Sequence, residues 1–156
     1  MDYIRVHVRS PELAIEAELR QRTNISVSFG EGAYDFADEW AMERALVSVV
    51  ESLWAGWQRE YRKVIEDTDL VIDAEDLTDK RFFADRDTVE AIGQSDDERI
   101  TVATVGMRKY SVHIVPGTMR ELTASEFSVG VGDATSRLIQ DFRHKVAEVK
   151  DRHYNY

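Results

Sequence analysis

The chain of 156 residues has no cysteine, two prolines, eight glycines and no apolar run long enough to cross a bilayer. Without cysteine there can be no disulfide and no thiolate zinc site. A membrane helix needs roughly 20 consecutive apolar residues. The amino-terminal MDYIRVHVRS also lacks the apolar stretch of a secretory signal. These absences predict a cytoplasmic protein with no membrane association. Basic residues are scarce as well, with 20 Lys and Arg against 30 Asp and Glu, a formal net charge of -10. The imbalance is local: residues 66–98 carry thirteen acidic and three basic residues, and the remainder carries seventeen of each. The flanking regions are near neutral, so the total charge understates how either would approach a polyanion.

Motifs for chemistry are missing too. DTDLVID at 67–73 superficially suggests a calcium loop, but Val71, Ile72 and Thr78 stand where a ligand, a glycine and a glutamate are required. His7, His113, His144 and His153 show neither an i, i+4 pair nor an HExxH pattern. Gly130-Val131-Gly132 is half of a phosphate fingerprint inside a helical pattern, and there is no P-loop or nucleophile elbow. Glu75-Asp76 and Asp96-Asp97 are adjacent loop carboxylates without the buried setting that would split their pKa values. This points away from an enzyme, a cofactor and a metal.

What is present is ample core material, with 43% hydrophobic residues and fifteen aromatics, arranged twice. Shifting the chain by 85 places sets ISVSFGEGAY (25–34) against YSVHIVPGTM (110–119), with Ser26, Val27 and Gly32 on Ser111, Val112 and Gly117. Ile15 falls on Ile100, and Ser10 on Ser95. In the second copy Ile100, Val102 and Thr104 alternate with polar or small residues. A turn at Gly106-Met107-Arg108-Lys109 follows, and alternation resumes with Tyr110, Val112 and Ile114, which predicts a hairpin with one buried face. Pro116 ends the ladder because it has no N–H to donate. Thr123 and Glu126 form a capping box, with Leu122 placed to staple against Phe127. From there Phe127, Val131, Ala134, Leu138, Phe142, Lys145 and Val149 trace one helical stripe, with Gly130 and Gly132 allowing a close backbone approach.

Candidate strands at Ile4–Val8 and Thr88–Ile92 precede the two hairpins. The expectation is an α+β fold of two βββα units, 1–66 and 88–156, joined by an acidic connector at 67–87. Within that connector LTDKRFFADRD would hold a short helix pinned by Phe82 and Phe83. The two sheets would either join or face each other about a pseudo-two-fold axis. The first unit's helix, from about Asp38 to Glu66, carries two stripes. One is Met42, Leu46, Val49 and Leu53. The other is Trp40, Val47, Val50, Trp54, Trp57 and Tyr61 and includes all three tryptophans, more than one small sheet covers. That second stripe is the candidate self-association surface of a homodimer. The candidate phosphate contacts are Arg20 and Arg22 at the first hairpin turn and Arg108 and Lys109 at the second, with further cations at Arg5, Arg9 and along the last helix.

The succession of three antiparallel strands, VHIVPGTMRELTASEF and a long amphipathic helix resembles the YbaB/EbfC family of small nucleoid-associated proteins. Over residues 99–152, Gly106, Val112, Ile114 and Pro116 stand where that family has its turn glycine and V-x-I-x-P strand end. Residues 1–66 resemble a diverged copy with Glu31 in place of the proline, and the whole chain is similar to actinobacterial relatives of the family. The resemblance implies a dimer, or a tandem pair folded within one chain as a pseudo-dimer, and DNA binding with little sequence preference. The acidic connector and the absence of a long charged helix before the sheet depart from the family, and none of its DNA-contact residues is carried over. Two readings follow. One is a non-enzymatic scaffold or protein-interaction module, dimeric and bound to an unknown protein partner. The other is a nucleoid-associated protein holding DNA through the hairpin turns.

Overall fold

Period-two alternation of apolar residues builds six strands, and each of the two strand triplets is followed by a long helix. The structure, a computed structural model, describes residues 4–21, 23–67 and 85–154. Strands β1 (Arg5–Ser10), β2 (Ile15–Arg20) and β3 (Asn24–Phe29) form one antiparallel sheet in the order β1-β2-β3. Strands β4 (Glu90–Gln94), β5 (Ile100–Val105) and β6 (Lys109–Ile114) form a second, in the order β4-β5-β6. Val6 faces Leu19 and Ala17 faces Val27 in the first sheet; Ala91 faces Thr104 and Val102 faces Val112 in the second. The helices are α1 (Ala33–Phe36), α2 (Glu39–Asp67), α3 (Thr118–Glu121) and α4 (Ala124–Tyr154).

The repeat extends through every one of these elements. Their first residues pair as Arg5 with Glu90, Ile15 with Ile100, Asn24 with Lys109, Ala33 with Thr118 and Glu39 with Ala124, each pair 85 apart. The fold is therefore α+β with two βββα units. Three details differ from the sequence expectation. The strand expected at Thr88–Ile92 starts later, at Glu90, and runs on through Gly93, which is a site of close approach. A Cβ there would lie 2.0 Å from the carbonyl oxygen of Ala134 on α4. Lys109 belongs to β6, paired with Val105, and not to the turn. The short helices α1 and α3 were not anticipated. Each is entered from a glycine in the left-handed region, Gly32 at φ 76° and Gly117 at φ 90°. The calcium-like DTDLVID and the Phe82-Phe83 helix fall largely or wholly on residues 68–84, outside the described residues.

Helix starts follow their caps. Asp38 Oδ1 accepts the Ala41 N–H at 2.7 Å ahead of α2. At α4 the box closes both ways: Thr123 Oγ1 accepts the Glu126 N–H (3.1 Å) and Glu126 Oε1 accepts the Thr123 N–H (2.9 Å). The two units then interlock. Helix α2 packs on β1 of its own sheet and on β6 of the other, and α4 packs on β4 of its own and on β3 of the other. The 85-residue shift that relates the elements also relates these contacts. At the crossing of α4 over β3, a Cβ on Gly132 would lie 2.7 Å from the Ile25 carbonyl oxygen, so the expected close approach is made here.

The buried side chains of both units form one cluster, in which Ile15, Leu19, Met42, Leu46, Ile100, Ile114, Phe127 and Leu138 are almost fully enclosed. Burying each such side chain contributes about 1.5–3 kcal/mol. Phe29 and Tyr34 of the first unit meet Phe127 of the second at ring centroid distances of 5.8 and 5.3 Å. Among the described residues no helix is long and apolar enough to cross a membrane.

Candidate interaction surfaces

The two stripes of α2 have different fates. Met42, Leu46, Val49 and Leu53 enter the core. Of the other stripe, Val50 is also buried, while Val47, Trp54, Trp57 and Tyr61 are half-buried and Trp40 is 65% exposed. Trp54, Trp57 and Tyr61 stack into a ladder with centroid separations of 5.3 and 5.0 Å, and Phe142 of α4 abuts Trp54 edge-on at 6.1 Å. The Trp57 Nε1 is buried without a hydrogen-bond partner among the described residues. Trp40 stands apart, fourteen positions or about 21 Å back along the helix, with the Arg44 guanidinium 4.6 Å from its ring centroid. Phe36, at the end of α1, is 91% exposed. It escaped the sequence reading because the segment carries no helical stripe.

The polar side of α2 joins the units. Glu39 Oε1 accepts the N–H of Gly117 (2.9 Å) and lies 3.4 Å from that of Met119, while Glu43 Oε2 accepts the Ile114 N–H (3.1 Å) beside His113 Nδ1 (3.6 Å). The Tyr34 hydroxyl lies 2.8 Å from the Leu122 carbonyl and 3.1 Å from that of Met119. Burial raises the Tyr34 pKa, as do the nearby carboxylates of Glu39, Glu126 and Asp35, so the phenol keeps its donor proton.

Two of the four candidate hairpin-turn cations, Arg20 and Arg108, are met by acids. Arg20 Nε lies 3.6 Å from Glu18, which also holds Arg5 at 3.2 Å, and Arg108 lies 3.4 Å from Asp87. Lys109 is exposed, with no ion-pair partner among the described residues, and Arg22 lies outside them. The turns of Arg20 and of Arg108 belong to different sheets.

Of the paired loop carboxylates, Glu75-Asp76 lies outside the described residues, Asp96 meets the Arg137 guanidinium and Asp97 serves the turn. The Ser95 hydroxyl donates to Asp97 Oδ1 (2.7 Å) and accepts the Ile100 N–H (3.1 Å), and Asp97 also accepts the Arg99 N–H. The Ser95 bond, followed by that of Arg99, holds the Asp97 carboxyl below its usual pKa. A carboxylate kept ionised by turn hydrogen bonds is not tuned for proton transfer near neutrality. Among the described residues no group of three or more acidic or histidine side chains is placed to hold a metal ion.

The outer faces of the two sheets have diverged. Where the first presents Arg5, His7, Glu18 and Arg20, the second has Glu90, Ile92, Ala103 and Val105 at the same places in the repeat. Ile92 and Val105 are 51% and 40% exposed, and they line a shallow hollow of about 400 Å³ with Tyr110 and Lys145. The edge of β4 is closed from α4. The Ile92 N–H donates to Asp141 Oδ2 (3.0 Å), Lys145 Nζ donates to the Glu90 carbonyl (2.9 Å), and Arg137 donates to the Gln94 carbonyl (2.6 Å). Arg137, Asp141 and Lys145 recur every fourth residue, a pattern visible in the sequence as alternating charge on one helical face. No family model, no curated protein and no solved structure matches the chain.

Proposed function

We propose that the chain is a non-enzymatic scaffold, a tandem relative of the YbaB/EbfC family whose two units fold on each other as a pseudo-dimer. It self-associates as a homodimer through the outer stripe of α2 and so presents its surfaces to a protein partner. The supporting observation is the half-exposed row of Val47, Trp54, Trp57 and Tyr61, with Trp40 beyond it, which remains after both sheets have packed against the helix. Soluble chains seldom leave such a row uncovered. A dimer formed there would bury roughly 1,200–2,000 Å².

Light scattering after size exclusion at micromolar concentration is expected to give twice the chain mass. The exposed-side substitutions Trp40→Ala and Val47→Asp are expected to return it to a monomer with an unchanged far-UV circular dichroism spectrum. A wild-type monomer at these concentrations would overturn the reading. The DNA reading has less support, because Glu18 faces Arg20 and Asp87 faces Arg108, one cation at each turn. In a gel shift the scaffold reading expects no complex with duplex DNA even at low salt. A complex that weakens steeply with salt, as phosphate contacts require, and that is lost when Arg20, Arg22, Arg108 and Lys109 become Ala, would put DNA first.

A further inference from the structure

Three of the four sheet edges make at least one main-chain hydrogen bond with a side chain of a long helix. On β4 these are Arg137, Asp141 and Lys145. On β3 the Ile25 N–H donates to Ser136 Oγ of α4 (3.3 Å), and on β6 the Ile114 N–H donates to Glu43 of α2 (3.1 Å). The edge of β1 is different. Its residues Arg5, His7 and Arg9 occupy the places in the repeat of Glu90, Ile92 and Gln94, so their main-chain groups point away from β2. The α2 residues 85 positions before Arg137, Asp141 and Lys145 are Ser52, Gly56 and Glu60. These are too short, absent or of the wrong charge to repeat the closure, and a Cβ on Gly56 would lie 2.5 Å from Val6 Cγ1. Among the described residues no hydrogen bond from outside the sheet reaches the main chain of Arg5, His7 or Arg9. A bare row of N–H and C=O groups is a template for another strand.

The side chains on this edge define the occupant. Arg5, His7 and Arg9 are exposed at alternate positions of one face; Glu18 of β2 already holds Arg5 at 3.2 Å, whereas Arg9 has no carboxylate at ion-pair distance among the described residues. A second copy of β1 laid antiparallel would set arginines and histidine against their own kind, and like charges directly opposite destabilise a strand pair. An extended segment with Asp or Glu at every second residue would meet them favourably. We propose that the β1 edge is a docking site for a strand of another protein that carries acidic residues at alternate positions, which would add as a fourth strand to the first sheet. This surface is separate from the outer stripe of α2 and does not depend on dimer formation.

The test uses the full chain and a fluorescent heptapeptide alternating Glu and Val, followed by anisotropy. Saturable binding is expected, together with slowed amide exchange at His7. Charge reversal at the exposed positions, Arg5→Glu with Arg9→Glu, is expected to weaken it by about tenfold or more. A peptide N-methylated at alternate residues, or one with Lys in place of Glu, is expected not to bind. Rebuilding the missing closure with Ser52→Arg and Glu60→Lys is expected to compete with the peptide and reduce its affinity. Absence of saturable binding up to millimolar peptide overturns the proposal. So does binding that survives charge reversal in a protein of unchanged circular dichroism, or equal binding of the Lys peptide. Repeating the titration with the Val47→Asp chain separates this result from any loss of self-association.

Discussion

Asp141 shows how one carboxylate can serve a whole edge. Burial pushes its pKa up, but the Ile92 N–H and the Lys145 ammonium outweigh that, and the net value lies below the usual carboxylate range. A folded pKa below the unfolded one means that the stabilisation is present at neutral pH and is lost as pH falls through the folded value. Denaturant midpoints are therefore expected to fall between about pH 5 and about pH 3. Asp141→Asn is expected to cost roughly 1–2 kcal/mol at pH 7 and to flatten that dependence; an unchanged pH slope in the variant would show that the bond contributes nothing. Glu126 shifts in the same direction because it accepts from Thr123, so the capping box also loosens in acid. Thr123→Ala is expected to lower stability by about 1 kcal/mol in the same unfolding assay.

At the level of elements, the glycines of α4 separate propensity from packing. Both Gly130 and Gly132 weaken an isolated helix by about 1 kcal/mol relative to alanine. At Gly132 an added Cβ meets the Ile25 carbonyl oxygen at 2.7 Å, a backbone atom that cannot turn aside. At Gly130 it meets the Ile100 Cδ1 at 3.0 Å, the far end of a flexible side chain. Thermal unfolding is therefore expected to show Gly132→Ala destabilised by roughly 2 kcal/mol or more and Gly130→Ala near neutral or slightly stabilised. The reverse order would mean that α4 does not lie against β3 as described.

Across the whole molecule, neither unit completes its own core. Each long helix rests on two strands of its own sheet and on an edge strand of the other, and Glu39, Glu43 and Tyr34 bond across the same boundary. Fragments 1–67 and 85–156 prepared separately are expected to show little cooperative unfolding by circular dichroism. Mixed at equal concentration, they are expected to regain helical signal and a single transition. Two independently cooperative halves would contradict the interlock.

The strands, the capping box at Thr123, the extent of α2 and the 85-residue repeat were all legible in the sequence, because each rests on neighbours within a turn or on a period along one strand. The tertiary structure alone decided which helix lies on which sheet. It put Val50 inside and left Trp40 out, although both stand on one stripe, because a stripe gives a direction around the helix axis and does not say what stands opposite. It also placed Gly93 at a helix crossing, and closed β4 while, among the described residues, no side chain closes β1. Those outcomes depend on backbone atoms far apart in the chain, Ala134 above Gly93 and Asp141 beside Ile92, which no local pattern encodes.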